Sequence, residues 1–356
     1  MPSSRNQRAA DAGSFVVQQS FPTPRPTTNP YLIMLGQSIG KLPGVEHRTF
    51  SWKNVLLRRF DVFHVHWPEI LVYGHSPLKA RVRQLFTALL LLKLSATRTP
   101  IVRTLHNLEL PSDASRLQRF LLLRMEKQTA LWICLNEDTP QRPDRDYDTI
   151  PHGHYRDWFG KYDWPEAIAG RVSYFGMIRR YKGVDSLVGA FHDLAGDVSL
   201  RVAGSPSSTE LADGLARLAN DDPRVQLDLH FLTEEEIVEV VRTAQLVVLP
   251  YREMHNSGGV LTALSLDRAV LVPANEVNTR LSVEVGAGWV HQYEGELTAA
   301  DIKLALDSIT AHAEAAPSPD LTRRNWADAG VRHYAAYLRA VELLALRRRT
   351  PWGPKR

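Results

Sequence analysis

Short apolar segments alternate with longer amphipathic ones along most of this chain, and this alternation constrains its fold more than any other feature. The apolar segments are of strand length and are bounded by Gly, Pro or Asn; they include VFHVHW, PIVRTLH, ALWICLN, RVSYFG, SLRVAG, LVVLPY and AVLVP. Helical spacing fills the intervening segments at 76–97, 114–130, 183–195, 207–219 and 233–244. Strands that alternate with helices predict an α/β protein with parallel sheets covered on both faces.

The alternation is interrupted once, at the aromatic and Pro/Gly-punctuated segment YRDWFGKYDWPEAIAG. A chain of 356 residues is long enough for two cores. We therefore expect a disordered N-terminus (1–13), two doubly wound units (14–160 and 161–320) and a C-terminal helix with a basic tail (321–356). Ligands of such units bind outside the carboxyl ends of the strands, so the cleft between two facing units is the expected site.

Charge is distributed unevenly between the two halves. Residues 1–160 carry 21 basic and 13 acidic residues, whereas residues 161–356 carry 22 and 26. The overall formal charge of +4 is too small to indicate nucleic-acid binding. No acidic residue lies between Glu69 and Glu109, and the positive field there favours an anionic surface.

Cysteine usage and hydropathy exclude several classes of protein. Cys134 is the sole cysteine, which excludes intramolecular disulfides and cysteine-based zinc sites. No secretory signal is visible, and the longest apolar run, Leu85–Leu92, is too short to span a bilayer. We expect a cytoplasmic protein.

Two strings in the second half have the composition of a phosphate-binding site. In YFGMIRRYKGVDSL a glycine and a basic loop precede a helix, and in VLPYREMHNSGGVLTALSL successive free N–H groups begin one. The candidate residues are Gly176, Arg179, Arg180, Lys182, Glu253, Asn256, Ser257, Gly258 and Gly259. The alternatives are a solvated basic loop for the first string and a plain helix cap for the second. Neither string is a Walker A or GxGxxG element.

These strings resemble the phosphate loop and the donor-binding helix of GT-B glycosyltransferases, which have two Rossmann-like domains. Within that class, PTTNPYLIML, DVFHVHWPE and RTLHNLELP are most similar to the GDP-mannose-dependent mannosyltransferases of xanthan-type exopolysaccharide assembly. The resemblance implies a nucleotide-sugar donor, a lipid-linked saccharide acceptor and no cofactor or resident metal. Two positions depart from the pattern: Met177 replaces the arginine after the glycine, and Thr262 stands where retaining enzymes carry a second glutamate.

An inverting transfer, which the resemblance implies, needs a base for the acceptor hydroxyl. Glu69, just past the strand in HWPE, is the chosen base, with Asp61 and His66 as alternatives. His106 is assigned to the donor sugar by the resemblance. The resemblance places acceptor contacts at Thr28 and Asn29. His66 is also predicted to contact the acceptor, whereas His64 is predicted to be a core histidine. A metal site at the paired histidines is disfavoured because further ligands lack clear spacing.

The segment 78–98 contains no acidic residue and combines apolar helix faces with basic side chains. This pattern is typical either of a core helix or of a helix that contacts a membrane. The latter fits a peripheral enzyme at the inner face of the cell membrane with a lipid-anchored acceptor. Two rival functions remain open, a nucleotide-sugar 2-epimerase on the same double fold and a non-catalytic sugar-binding protein.

Overall fold

The structure is a computed structural model that describes residues 14–107, 109–111, 113–219, 222–252, 254, 256–311 and 318–349. The chain divides into two compact units, residues 1–153 with 326–356 and residues 154–325. Each unit contains a six-stranded parallel sheet with flanking helices. The predicted α/β architecture is confirmed. The expected disordered segment 1–13 lies outside the described residues.

The first unit has the strand order β2-β1-β3-β4-β5-β6, and every pairing in it is parallel. Its strands are β1 (Phe15–Gln19), β2 (Val45–Arg48), β3 (Val62–Val65), β4 (Ile101–Leu105), β5 (Thr129–Cys134) and β6 (Tyr147–Thr149). Its helices are α1 (Pro30–Gly40), α2 (Trp52–Leu57), α3 (Pro77–Thr97), α4 (Arg116–Gln128) and, from the end of the chain, α12 (Trp326–Arg349).

The second unit has the strand order β12-β11-β10-β7-β8-β9, also all parallel. Its strands are β7 (Arg171–Phe175), β8 (Ser199–Ala203), β9 (Val225–Asp228), β10 (Leu246–Val248), β11 (Ala269–Pro273) and β12 (Val290–Tyr293). Its helices are α5 (Arg156–Phe159), α6 (Val184–His192), α7 (Thr209–Ala219), α8 (Glu234–Arg242), α9 (Gly258–Ser265), α10 (Glu276–Val285) and α11 (Ala299–Ala311).

The strand orders locate one switch point in each sheet. At this point, strands that follow each other along the chain begin to be added on the opposite side of the sheet. In the first sheet it lies between β1 and β3, and in the second between β7 and β10. The second order is that of dinucleotide-binding Rossmann sheets, whereas the first follows the flavodoxin-like order. Loops that leave the carboxyl ends of these four strands therefore define the two ligand-binding edges.

Local sequence accounts for most element boundaries. Thr233 and Glu236 form the expected capping box at α8, because each side chain accepts a hydrogen bond from the other residue's backbone N–H. The helices and strands that the hydrophobic pattern misses are β2, α2, α5, α10, β12 and α11. Two of these, VEHR and VHQY, are strands at the edges of their sheets, and their partial exposure removes the apolar signature of a buried strand.

The division of the chain differs from the expected boundaries at 160 and 320. The first unit ends at Gly153, and α12 returns to it across α1 and β5. The physical reason is a buried face on α12, where Tyr337 is fully buried and hydrogen bonds to His64 of β3. Residues 350–356 of the expected basic tail lie outside the described residues.

Among the helices within the described ranges, none has both the length and the apolarity that crossing a bilayer requires.

Candidate active site

A line of hydrogen-bonded polar side chains crosses the carboxyl edge of the first sheet. Nε2 of His66, which follows β3, lies 3.1 Å from Oε1 of Gln19, the last residue of β1. Nδ1 of His66 lies 3.2 Å from Nε2 of His106, which follows β4. Because neighbouring parallel strands end at the same edge, three residues that are far apart in sequence meet here.

Burial keeps both imidazoles of this line neutral. His66 is only 2% exposed, and burial, reinforced by neighbouring histidines, lowers its pKa well below the usual value. Burial also lowers the pKa of His106 to about 3, with contributions from His152 and Arg103. Near neutral pH, both imidazoles are therefore uncharged, so neither can act as a general acid in the imidazolium form. Both act through hydrogen bonds of the neutral ring.

Aromatic rings hold the His106 imidazole in place. Trp67 stacks on it with ring centroids 4.1 Å apart and an interplanar angle of 20°. The edge of Tyr31 meets it at 5.2 Å. His106 as a residue is still partly exposed at this edge of the sheet, where ligands of parallel sheets bind.

His64 occupies the core, as the sequence predicts. It is fully buried, with Nε2 at 2.8 Å from Oγ1 of Thr104 and Nδ1 at 2.8 Å from the hydroxyl of Tyr337. Both ring nitrogens are therefore satisfied inside the protein. No group of three or more His, Cys, Asp or Glu side chains is arranged to hold a metal ion within the described part of the chain.

The two carboxylates proposed as the base lie at opposite ends of β3. Glu69 lies in a short 3-10 turn, Pro68–Leu71, beyond the carboxyl end of the strand, and is partly exposed. Asp61 precedes the strand, and its Oδ2 accepts a hydrogen bond from the backbone N–H of Val16 at 2.7 Å. Glu69 is thus on the ligand-binding edge with His106, whereas Asp61 is on the other.

The side chains of Thr28 and Asn29 have local partners. Oγ1 of Thr28 accepts from the backbone N–H of Arg25 at 2.8 Å, and Oδ1 of Asn29 caps α1 through the N–H of Tyr31 at 3.0 Å. Their predicted contact with the acceptor stays a prediction, as does that of the buried His66.

In the second unit, the loop after β7 gathers positive charge at the switch point. Arg179 and Arg180 are exposed, whereas Lys182 is partly buried and its Nζ donates to the hydroxyl of Tyr251 at 3.2 Å. Burial and the nearby Arg179 lower the pKa of Lys182 to about 8. The ammonium is charged at neutral pH but weakly solvated, so an anionic ligand gains more from it than from an exposed lysine.

Glycines let the backbone of this loop pack closely. Gly183, which precedes α6, has a φ of 62°, and a Cβ there would overlap the carbonyl oxygen of Pro250. Gly204, with a φ of 148°, leaves no room for a Cβ beside the carbonyl of Gly176. A side chain at either position would push the basic loop away from its neighbouring strand.

The second string supplies a helix N-terminus beside the same switch point. Ser257 caps α9, and its Oγ accepts from the N–H of Val260 at 3.2 Å. Gly258 and Gly259 form the first turn, whose N–H groups have no acceptor within the helix. Asn256 directly precedes the cap, and the predicted donor-binding residue Glu253 lies outside the described residues.

Sequence reasoning missed four side chains that shape these edges. Gln19, Tyr31, Trp67 and Tyr251 support His66, His106 or Lys182. None of them was predicted as a site residue, although the three aromatic residues lie within the quoted strings. One signal was present, because polar Gln18 and Gln19 close an otherwise apolar strand. The aromatic partners have no signal, since their roles depend on contacts between distant segments.

Two switch-point sites on two Rossmann-like sheets define the fold class. HepE from Anabaena, solved with UDP and glucose, aligns with a TM-score of 0.55 at 14% identity and covers 94% of this chain and 99% of its own. WaaG, a glycosyltransferase involved in lipopolysaccharide biosynthesis, aligns with a TM-score of 0.52 at 13% identity, covering 93% and 99%. The fold is that of GT-B glycosyltransferases.

A sequence relative narrows the class to a family. The chain is 42% identical over 335 residues to a GDP-mannose:glycolipid 4-beta-D-mannosyltransferase of Xanthomonas campestris pv. campestris, covering 94% of this chain and 95% of the relative. The chain belongs to the family of that enzyme and is a glycosyltransferase. No family model matches the sequence. The epimerase and sugar-binding alternatives have no support from these comparisons.

Proposed function

We propose that this enzyme transfers mannose from GDP-mannose to the saccharide of a glycolipid in exopolysaccharide or glycolipid assembly. The observation that carries the proposal is the 42% identity, over nearly the full length of both chains, to an enzyme with that donor and acceptor class. A β-mannoside formed from an α-linked nucleotide sugar requires inversion at C1. A single displacement is therefore the proposed reaction.

In this displacement, the carboxylate of Glu69 takes the proton of the acceptor hydroxyl as its oxygen attacks C1 of the mannosyl group. The bond from C1 to the diphosphate oxygen breaks, and GDP leaves. Its negative charge is met by Lys182, by Arg179 and Arg180, and by the N–H groups from Ser257 to Gly259. Glu253 is assigned to the donor by position in the string alone.

His106 serves as a neutral contact to the donor sugar. Its lowered pKa makes it a poor base and leaves that task to a carboxylate. His66, buried behind it, supports His106 rather than competing with Glu69. Thr28 and Asn29 contact the acceptor from the loop before α1, through atoms that their local hydrogen bonds leave available.

Positive side chains and helix amides replace a metal in this scheme, and we propose that the reaction needs no resident cofactor. Transfer that persists after exhaustive chelation with EDTA supports this. Loss of transfer that added Mg²⁺ or Mn²⁺ restores would contradict it.

A donor panel tests the proposed reaction. Purified protein is incubated with radiolabelled GDP-mannose, UDP-glucose and GDP-glucose, each with and without a bacterial membrane lipid extract. We expect label from GDP-mannose in the lipid fraction, dependent on the extract. Label transferred only from a UDP-sugar, or to a water-soluble acceptor alone, would overturn the assignment.

We also propose that α3 and α4 bind an anionic membrane surface that presents the lipid-anchored acceptor. One stripe of α3 exposes large apolar side chains at heptad spacing, with Leu78 72% and Leu85 59% exposed; its members are Leu78, Val82, Leu85, Leu89 and Leu92. The neighbouring α4 adds Leu117, Phe120 and Leu123. Apolar side chains in such a row favour insertion among lipid headgroups.

The charges around this stripe suit anionic lipid. Helix α3 has no acidic residue, and the acid of α4, Glu126, is paired with Arg103 at 2.9 Å and Arg145 at 3.5 Å. Exposed basic residues on the two helices are Lys79, Arg81, Arg116, Arg119, Arg124 and Lys127. Each basic residue near such a surface contributes about 1 kcal/mol to binding.

Two basic residues of the segment have other roles. Arg83 donates to the carbonyls of Ile70 and Tyr73 at 3.0 and 2.8 Å, and Lys93 donates to the carbonyl of Val55 at 2.7 Å. Reversing their charge would damage the fold, so the membrane test must avoid them.

The membrane test compares two triple charge reversals of equal net charge. Changing Lys79, Arg81 and Arg119 to Glu should release the protein from vesicles that contain phosphatidylglycerol. Changing Arg142, Arg217 and Lys303 to Glu should leave flotation as in the parent. Equal flotation of both variants would contradict the proposed surface.

A further inference from the structure

Three polar residues on neighbouring strands form one directional hydrogen-bond line at the edge of the first sheet. Gln19 ends β1, His66 follows β3 and His106 follows β4, with separations of 3.1 and 3.2 Å between the bonded atoms. Gln19 is fully buried and His66 nearly so, whereas His106 is partly exposed. The line therefore runs from the protein interior to the ligand-binding edge.

The chemistry of Gln19 sets the proton positions along this line. Oε1 is the amide atom that faces Nε2 of His66, and an amide oxygen only accepts, so in this orientation of the amide Nε2 of His66 carries the hydrogen. In a neutral imidazole the other nitrogen then has only a lone pair. Nδ1 of His66 therefore accepts, and Nε2 of His106 must be the donor. The same rule leaves Nδ1 of His106 without a hydrogen.

The packing around the line supports a single arrangement. The backbone N–H of His66 donates to Oγ of Ser20 at 3.1 Å, which holds the His66 backbone beside the end of β1. The stacked Trp67 and the edge of Tyr31 limit rotation of the His106 ring. Among the described residues, no hydrogen-bond partner of Nδ1 of His106 is present, so this nitrogen is available to a ligand.

We propose that Gln19 and His66 are positioning residues that hold His106 as its Nε2–H tautomer, so that Nδ1 of His106 accepts a hydrogen bond from a hydroxyl group of the substrate. The proposal rests on the proposed function for the identity of that substrate, a mannosyl donor. A sugar hydroxyl can serve as a donor here, and the fixed lone pair rejects a group that can only accept. The low proton affinity of His106 keeps this lone pair in place through the reaction.

The tautomer is measured on the resting protein, with no substrate. Ring nitrogen shifts of ¹⁵N-histidine-labelled protein at pH 7 distinguish Nδ1–H, Nε2–H and imidazolium forms, and His66→Gln and His106→Gln variants assign the signals. We expect Nε2–H forms for both His66 and His106. An Nδ1–H form or an imidazolium at His106 would overturn the proposal. This result is independent of whether the enzyme uses GDP-mannose.

Two substitutions at His66 then distinguish an effect of the hydrogen-bond line from an effect of side-chain packing. His66→Gln retains a side-chain oxygen that can accept from Nε2–H of His106, whereas His66→Leu has none. We expect His66→Leu to lower kcat/KM for the donor by about tenfold, with His66→Gln retaining most of it, since one neutral hydrogen bond is at issue. An equal loss of kcat/KM in the two variants, at equal thermal stability, would contradict the positioning role of His66.

The substitution Gln19→Glu is expected to reverse the direction of the hydrogen bonds along the line. A carboxylate there favours an imidazolium at His66, whose Nδ1–H would then donate to Nε2 of His106 and move the His106 hydrogen to Nδ1. We expect the ¹⁵N spectrum to report the reversed tautomer, with kcat/KM lowered at least tenfold and GDP affinity unchanged. If this variant does not fold, the ¹⁵N spectrum of the parent protein and the comparison of His66→Gln with His66→Leu still test the proposal. Full activity with a reversed tautomer would overturn the proposal.

Discussion

The ligand-binding edges of the two sheets share a topology but differ in electrostatics. At the first edge, burial removes the charge of His66 and His106, and neutral hydrogen bonds orient them. At the second, Arg179 and Arg180 stay solvated, and partial burial leaves Lys182 charged at neutral pH. The same parallel scaffold thus supports a neutral edge and a cationic edge.

The difference shows that burial acts in opposite ways on function at the two edges. At the first edge, burial removes the histidines from acid–base chemistry and makes them hydrogen-bonding groups of fixed protonation. Partial burial of a lysine, whose ordinary pKa lies far above 7, preserves its charge and strengthens its attraction for an anion. Proton transfer at the neutral edge therefore falls to Glu69, whereas the cationic edge holds the leaving group.

The largest expected effect tests the carboxylate at the neutral edge. Glu69→Gln keeps the side-chain volume and removes the base, so turnover should fall by roughly 10²–10⁴-fold with little change in GDP affinity. Single-turnover rates measure this. Asp61→Asn, at the opposite end of β3, is the matched comparison and should retain activity within about threefold. A larger loss for Asp61→Asn than for Glu69→Gln would exchange their roles.

The next effect tests the cationic edge. Lys182→Ala removes a partly desolvated ammonium, and GDP affinity should weaken by about 1.5–3 kcal/mol, the range for hydrogen bonds to charged groups. Isothermal titration calorimetry measures the change. Lys303→Ala, which removes an exposed lysine paired with Asp307, should leave GDP affinity unchanged. Unchanged affinity in Lys182→Ala would show that this loop does not bind the diphosphate.

A smaller effect is the pH dependence of the cationic edge. Because Lys182 in the free protein loses its proton around pH 8, diphosphate affinity should be nearly constant just below that pH and fall above it. The slope cannot exceed about tenfold per pH unit for one proton. Titrations between pH 7 and 9.5 should show the decline in the parent protein and a flat profile in Lys182→Met. A decline of the same size in both would assign the proton elsewhere.

The smallest effect concerns the core behind the neutral edge. Tyr337→Phe leaves Nδ1 of the buried His64 without its partner, which should lower the free energy of unfolding by about 1 kcal/mol. Chemical denaturation or calorimetric melting of the full-length protein measures the loss. Tyr334→Phe, on the same helix but partly exposed, should change stability by less than about 0.5 kcal/mol. If both variants melt alike, the His64 hydrogen bond contributes no stability.

Much of the fold and part of the site could be predicted from sequence. Helical spacing located α3, α7 and α8 to within about two residues, and the glycine-lysine string indicated the basic loop before α6. Edge strands such as β2 were missed because their partly exposed side chains lack the pattern of a buried strand. The role of Gln19 was missed because its partner His66 lies 47 residues away.

By itself, the sequence determined two parallel-sheet units, the loops that follow their strands and the residue types available at each ligand-binding edge, because these depend on local periodicity and short motifs. Only the tertiary structure decided that His66 and His106 are neutral, that Arg83 and Lys93 bind backbone carbonyls, and that α12 belongs to the first unit. Those outcomes depend on burial and on hydrogen bonds between segments distant in sequence. Desolvation is a property of the packed surroundings of a residue, so no local pattern encodes it.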